Sequence, residues 1–193
     1  MTDWNRRYLQ NDTPWDKGHV APPLVEALEN GLEFSGKILV PGCGLGHDAR
    51  YVACRSPRAT VLAVDISAEA LCRAQEYENP QNLDFQQIDF LGAAWTGGFN
   101  VLVEHTLYCA INPSQRQAYA EAAAKAIRVG GLFLGIFFKN DYPDLEEGPP
   151  YFSSDAQLDA CFDEHFELLE KWLPGVAFEE RVGEEELRLY RRQ

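Results

Sequence analysis

Three glycines at alternate positions, Gly42, Gly44 and Gly46, stand directly after an apolar run from Ile38 to Val40. A chain that turns through glycines brings bare backbone N–H groups close to a ligand. About 20 residues on, a second apolar run, Thr60 to Val64, ends in Asp65, where a nucleoside-binding α/β fold accepts from ribose hydroxyls. Asp89 closes a third such run and can accept from an exocyclic adenine amine, with Phe90 beside it to cover the ring. His105 and Tyr108 follow a fourth run, where a second substrate would approach. The glycine spacing separates two cofactor classes. A dinucleotide fingerprint reads G-x-G-x-x-G; here the pattern is G-x-G-x-G, with His47 where the later glycine belongs and no lysine for a triphosphate. The plain alternative is a glycine turn that only joins strand to helix, and Asp65 at the right distance weighs against it.

Other chemistries find little support. The chain has no G-x-S-x-G elbow and no H-E-x-x-H, which counts against a serine hydrolase or a zinc enzyme. Its four histidines are widely spaced, and the five cysteines are scattered without C-x-x-C spacing, so neither a metal nor a disulfide framework is expected. Cys43, inside the glycine turn, reads as a small packing residue rather than a nucleophile. The formal net charge is −13, and residues 141–193 carry 15 acidic against 5 basic side chains. Such a surface repels duplex nucleic acid and reads as a solvated face, leaving a small molecule as the expected partner.

The elements that hold these residues follow from the patterning. At 193 residues the chain suits one domain spanning 1–193, with no apolar run long enough for a membrane span and no apolar signal core near Met1. A cytoplasmic monomer is therefore expected. Strands are expected at 38–40, 60–65, 83–90, 99–104 and 132–138, alternating with helices at 48–55, 67–78 and 113–129, the last capped by Gly130-Gly131. This alternation predicts a mostly parallel sheet with helices on both faces. Ser153 is expected to cap a helix to about Glu164, and two alternating stretches, 166–173 and 186–191, to finish the sheet edge as an antiparallel pair. Residues 1–21 carry Trp4, Tyr8 and Trp15 around a helix-breaking Asp12-Thr13-Pro14. These rings are either staples for the terminus or a flap over a ligand.

The glycine turn resembles the first motif of the class I S-adenosylmethionine methyltransferases. A narrower resemblance covers nearly the whole chain. It is carried by Trp4 with Thr13-Pro14-Trp15-Asp16-Lys17-Gly18, Pro22-Pro23-Leu24, Val40 to Asp48, and Val64-Asp65-Ile66-Ser67. Tyr108-Cys109-Ala110-Ile111 with Pro113 and Arg116, and Gly148-Pro149-Pro150-Tyr151, complete it. Together these resemble the thiopurine, thiol and halide methyltransferase family. The resemblance implies a class I (Rossmann-like) seven-stranded sheet with an antiparallel last strand. It implies S-adenosylmethionine contacts from Trp4, Trp15, Gly42, Gly44, Asp65, Ile66, Asp89, Phe90 and His105. The acceptor side is expected at Tyr108, Phe138 and Tyr151, with residues 1–21 as a lid and 141–152 as a substrate-side loop. Tyr8 stands where relatives often carry a third tryptophan, and Phe138 where halide- and thiol-methylating relatives often place a tyrosine. The loss of that hydroxyl disfavours halide. The expected activity is methyl transfer to a small soft nucleophile, a thiol foremost. Methylation of oxygen or nitrogen, or binding of S-adenosylmethionine without transfer, stays open.

Overall fold

A computed structural model describes residues 2–141 and 148–193. The strands are β1 (Lys37–Pro41), β2 (Thr60–Asp65), β3 (Leu83–Gln87), β4 (Phe99–His105), β5 (Ile127–Phe138), β6 (Phe166–Trp172) and β7 (Glu185–Arg192). They form one sheet in the order β3-β2-β1-β4-β5-β7-β6. From β3 to β5 the neighbours are parallel, whereas β7 runs antiparallel to both β5 and β6. Strand order reverses between β1 and β4, the switch point beyond which ligands bind in open α/β sheets.

The helices are α1 (Trp4–Leu9), α2 (Pro22–Glu29), α3 (His47–Arg55), α4 (Ala68–Gln75), α5 (Arg116–Ala126) and α6 (Asp155–Phe162). Alternate strand residues serve opposite faces. Ile38, Val40, Val101, Val103, Leu134 and Ile136 pack with α2, α3 and α4. Leu39, Leu102, Phe133 and Phe137 pack with α5 and α6. The central strands are thus buried on both sides, which is why they read as unbroken apolar runs. No helix among the described residues is long and apolar enough to cross a membrane.

Several boundaries differ from the sequence expectation: α4 ends at Gln75 rather than about 78, and β5 begins at Ile127 rather than 132. Helix α5 stops at Ala126, not Val129: Ile127 turns extended, pairs with Phe99 and is buried at the strand's start. A β-branched residue with a core slot favours that over another helical turn. Strand β3 ends at Gln87, and beyond it Asp89 accepts from the Leu91 N–H at 3.1 Å, folding the chain locally. Ser154, not Ser153, caps α6, in a reciprocal capping box with Gln157. The expected Ser67 cap of α4 is present, accepting from the Ala70 N–H at 3.1 Å. Part of the C-terminal acid is not a solvated face. The fully buried Arg188 donates to Asp155, Asp159 and Glu186 at 2.6, 2.6 and 2.7 Å, tying α6 to β7.

Candidate active site

The glycine turn takes the shape its spacing predicts. Gly42 and Gly44 have φ of +62° and +51°, a region L side chains avoid. A side chain at Gly42 would meet Leu107, and one at Gly44 the Tyr8 hydroxyl, so both positions need the bare backbone. Asp65, at the tip of β2, fastens the turn: Oδ2 accepts from the Gly44 N–H and Oδ1 from the Ser67 N–H, each at 2.8 Å. Burial pushes its carboxyl pKa up, and those N–H groups pull it back. A carboxylate has about four acceptor positions, so these two bonds leave it capacity for hydroxyl donors.

Beyond the strand tips lies a cavity of about 690 Å³. It is lined by Trp4, Trp15, Gly42, Gly44, Asp65, Ile66, Asp89, Phe90, His105, Phe138 and Tyr151, which come from every quarter of the chain. Tyr108, expected on the acceptor side, is the exception. Its ring is buried among Tyr119, Phe137 and Phe162 on the α5 side of the sheet, and its neighbours Leu107 and Cys109 line the cavity instead. Local sequence places the loop; only packing decides which of its side chains turns outward. Of the expected loop 141–152, residues 142–147 lie outside the described residues, as does Met1.

The N-terminal aromatic segment is seated on the cavity. Trp15 meets Trp4 and Tyr8 edge-on at 5.2 and 5.7 Å, and its Nε1–H donates to the Tyr8 hydroxyl at 3.1 Å. Helix α1 is latched to α4: Asn5 Oδ1 accepts from the Ser67 hydroxyl and the Glu69 N–H at 3.1 and 2.9 Å. Arg73 donates to the Tyr8 carbonyl and to Asn11, each at 2.8 Å.

His105 occupies the other end. Its Nδ1 contacts Asp48 Oδ2 at 2.7 Å and its Nε2 contacts Glu185 Oε1 at 3.4 Å. Burial works against the imidazolium, but the Asp48 and Glu185 carboxylates outweigh it and hold the pKa at about 9. His105 thus links α3, β4 and β7 through both ring nitrogens rather than standing free as a base. Arg181 Nη1 lies 3.3 Å from the same Glu185 oxygen and 3.1 Å from His105 Nε2, so Nε2 has a guanidinium beside it as well as a carboxylate. Its guanidinium sits 5.1 Å from the rings of both Phe138 and Phe178, and Nη2 donates to the Trp15 carbonyl at 3.2 Å. Sequence reasoning missed this C-terminal wall, 178–184, which lies in the link between the two expected edge strands. The one available signal was an arginine in an acid-rich stretch. Lys17 of the N-terminal segment pairs with Glu180 across the same mouth.

The donor set fits a nucleoside without phosphate. Carboxylates stand at the tips of two adjacent strands, an aromatic ring lies beside the second, and the glycine turn itself contains no lysine or arginine. This sheet, with a glycine turn after its first strand and an acid at the tip of its second, is the fold of the class I S-adenosylmethionine-dependent methyltransferases. The solved structure of an S-adenosylmethionine-dependent methyltransferase from Mesorhizobium loti is similar in fold. Its TM-score is 0.67 at 17% identity, over 88% of this chain and 98% of that one.

The model of the thiopurine S-methyltransferase family matches residues 1–186, and the chain belongs to that family. It is 32% identical to the probable thiol methyltransferase 2 of Arabidopsis thaliana, over 77% of this chain and 66% of that protein. Thiocyanate methyltransferase 1 of the same plant is 31% identical, over 77% of this chain and 65% of its own length. The matched part thus spans just under two thirds of these relatives.

Proposed function

We propose that this protein methylates a small soft nucleophile, a thiol before any other, with S-adenosylmethionine as donor. The bound sulfonium supplies an electrophilic methyl group suited to in-line displacement, which asks the protein chiefly for alignment and exclusion of water. Gly42 and Gly44 offer close backbone approach, Asp65 and Asp89 offer acceptors, and Phe90 and Ile66 offer apolar cover. Trp4 and Trp15 close the mouth. Phe138 and Tyr151 wall the acceptor side, with Phe178 and Arg181 opposite the N-terminal segment. The names of the thiol and thiocyanate methyltransferases support this choice of acceptor, and the acid-rich chain supports a small-molecule substrate over nucleic acid.

The observation that carries the reading is the engagement of His105. The imidazole at the end of β4 has Nδ1 on Asp48 and Nε2 between Glu185 and the Arg181 guanidinium, and the two carboxylates raise its pKa. An alcohol needs its proton removed as it attacks, and this group has no free nitrogen to take it. A thiol with a pKa near ~8.5 arrives partly ionised and strongly nucleophilic. The test is S-adenosylhomocysteine formation by the purified protein with hydrosulfide, thiophenol, phenol, an amine and bromide. Thiols should be methylated, with kcat/KM rising toward each thiol's own pKa, and bromide should be poor. A phenol or amine that outcompetes every thiol would overturn the acceptor assignment.

A further inference from the structure

Five contacts to its backbone fix the segment that carries Tyr151 into the acceptor wall. The Tyr151 N–H donates to the Cys109 carbonyl at 2.7 Å, the Ser153 N–H to the Phe138 carbonyl at 3.0 Å, and the Asn140 N–H to the Ser153 carbonyl at 3.0 Å. The other two come from one side chain. Arg116, at the first turn of α5, donates through Nη2 to the carbonyls of Tyr151 and Phe152, each at 3.0 Å. That nitrogen has two hydrogens, one for each carbonyl. Arg116 is buried, and its guanidinium lies 4.8 Å from the Tyr108 ring centroid. Tyr108, which faces away from the cavity, thus forms a floor for the arginine. The residues so held do line the cavity: Pro149, Pro150 and Tyr151 from the segment, and Cys109 and Phe138 from its two anchors. Phe152 adds an edge-on ring contact to Phe138 at 5.5 Å. Arg116 itself lines nothing.

We propose that Arg116 is a positioning residue for the acceptor wall: from outside the cavity it sets where Tyr151 stands, and so how well a bulky acceptor is held. A planar fork that stacks on a ring and serves two carbonyls at once is specific to arginine; lysine offers a point charge without the plane. The cofactor side has no share in these contacts, since the glycine turn is fastened by its own hydrogen bonds, Cys43 N–H to Val64 and Gly44 N–H to Asp65. Arg116 should therefore act on the acceptor and leave donor binding alone. The size-selectivity part rests on the thiol reading above.

The test uses the full chain with Arg116→Met and Arg116→Lys. Calorimetry with S-adenosylhomocysteine should give dissociation constants within about two-fold of wild type. Hydrogen exchange should show faster exchange of the Tyr151 and Ser153 amides, with the Gly44 amide unchanged. The ratio of kcat/KM for thiophenol to that for hydrosulfide should fall roughly ten-fold or more in Arg116→Met, the scale of two lost hydrogen bonds. Arg116→Lys should fall between, and it carries the test alone if Arg116→Met does not fold. Hydrosulfide has no ring for the wall to hold, so a residue that is merely structural would lower both rates together. An unchanged ratio with unchanged exchange overturns the proposal, and so does an equal loss on both thiols with weakened S-adenosylhomocysteine binding. If the wild type methylates neither thiol, the thiol reading falls, and the exchange of the Tyr151 and Ser153 amides decides the role of Arg116.

Discussion

Replacing Asp48 by asparagine should change how stability depends on pH, and the structure sets the size. His105 is raised from its ordinary 6.5 to about 9, with burial opposing and the Asp48 and Glu185 carboxylates prevailing. A histidine whose folded pKa lies above its unfolded one stabilises the fold fully below the unfolded value, about 6.5. That contribution is lost as pH rises through the folded value, about 9. The gap corresponds to about 3 kcal/mol at ~1.36 kcal/mol per pH unit. Glu104 also disfavours alkaline conditions. It is fully buried and raised to about 7, so stability drains as pH climbs from its unfolded value through 7. The wild-type slope alone therefore mixes two groups, and the comparison with Asp48→Asn isolates one. The amide oxygen of the variant can still accept from the Ala21 N–H, as the Asp48 carboxylate does at 2.8 Å, but it no longer neutralises the imidazolium. Urea unfolding at pH 6, 7.5 and 9.5 should show the variant less stable by about 2–3 kcal/mol at pH 6. The difference should shrink to well under half that at pH 9.5, where His105 is mostly neutral in the wild type and neutral in the variant. Parallel profiles would refute the reasoning, and His105 would then be neutral at pH 7 and available as a base.

Two further outcomes follow from the site. Asp65→Ala leaves the Gly44 and Ser67 N–H groups without acceptors, so S-adenosylmethionine binding measured by calorimetry should weaken by roughly 1–3 kcal/mol, with a lower melting temperature; equal affinity would remove Asp65 from the site. Tryptophan fluorescence should change on cofactor binding, and deletion of residues 1–18 should abolish turnover while the sheet stays folded. A truncated protein that methylates at the wild-type rate would make the aromatic segment a staple and not a lid.

The ligand end of this protein is legible in its sequence because it is local. A left-handed turn needs glycine, a strand buried on both faces needs an apolar run, and an acceptor at the strand tip needs a carboxylate. Gly42, Gly44 and Asp65 satisfy these within two dozen residues, so periodicity and spacing alone place them. The boundary of α5 was missed for an equally physical reason: Ala-rich sequence favours helix through Val129, but the core slot for Ile127 outweighs it. The acceptor end is decided by contacts between distant residues. Trp15 and Arg181 meet across 166 positions, and His105 and Glu185 across 80. Nothing in either stretch states that they will close one mouth. Tyr108 and Tyr151 look equally suited to an acceptor pocket on paper. Packing alone turns the first into the floor beneath Arg116 and the second into the wall, because a side chain's direction is settled by the neighbours that exclude its alternatives.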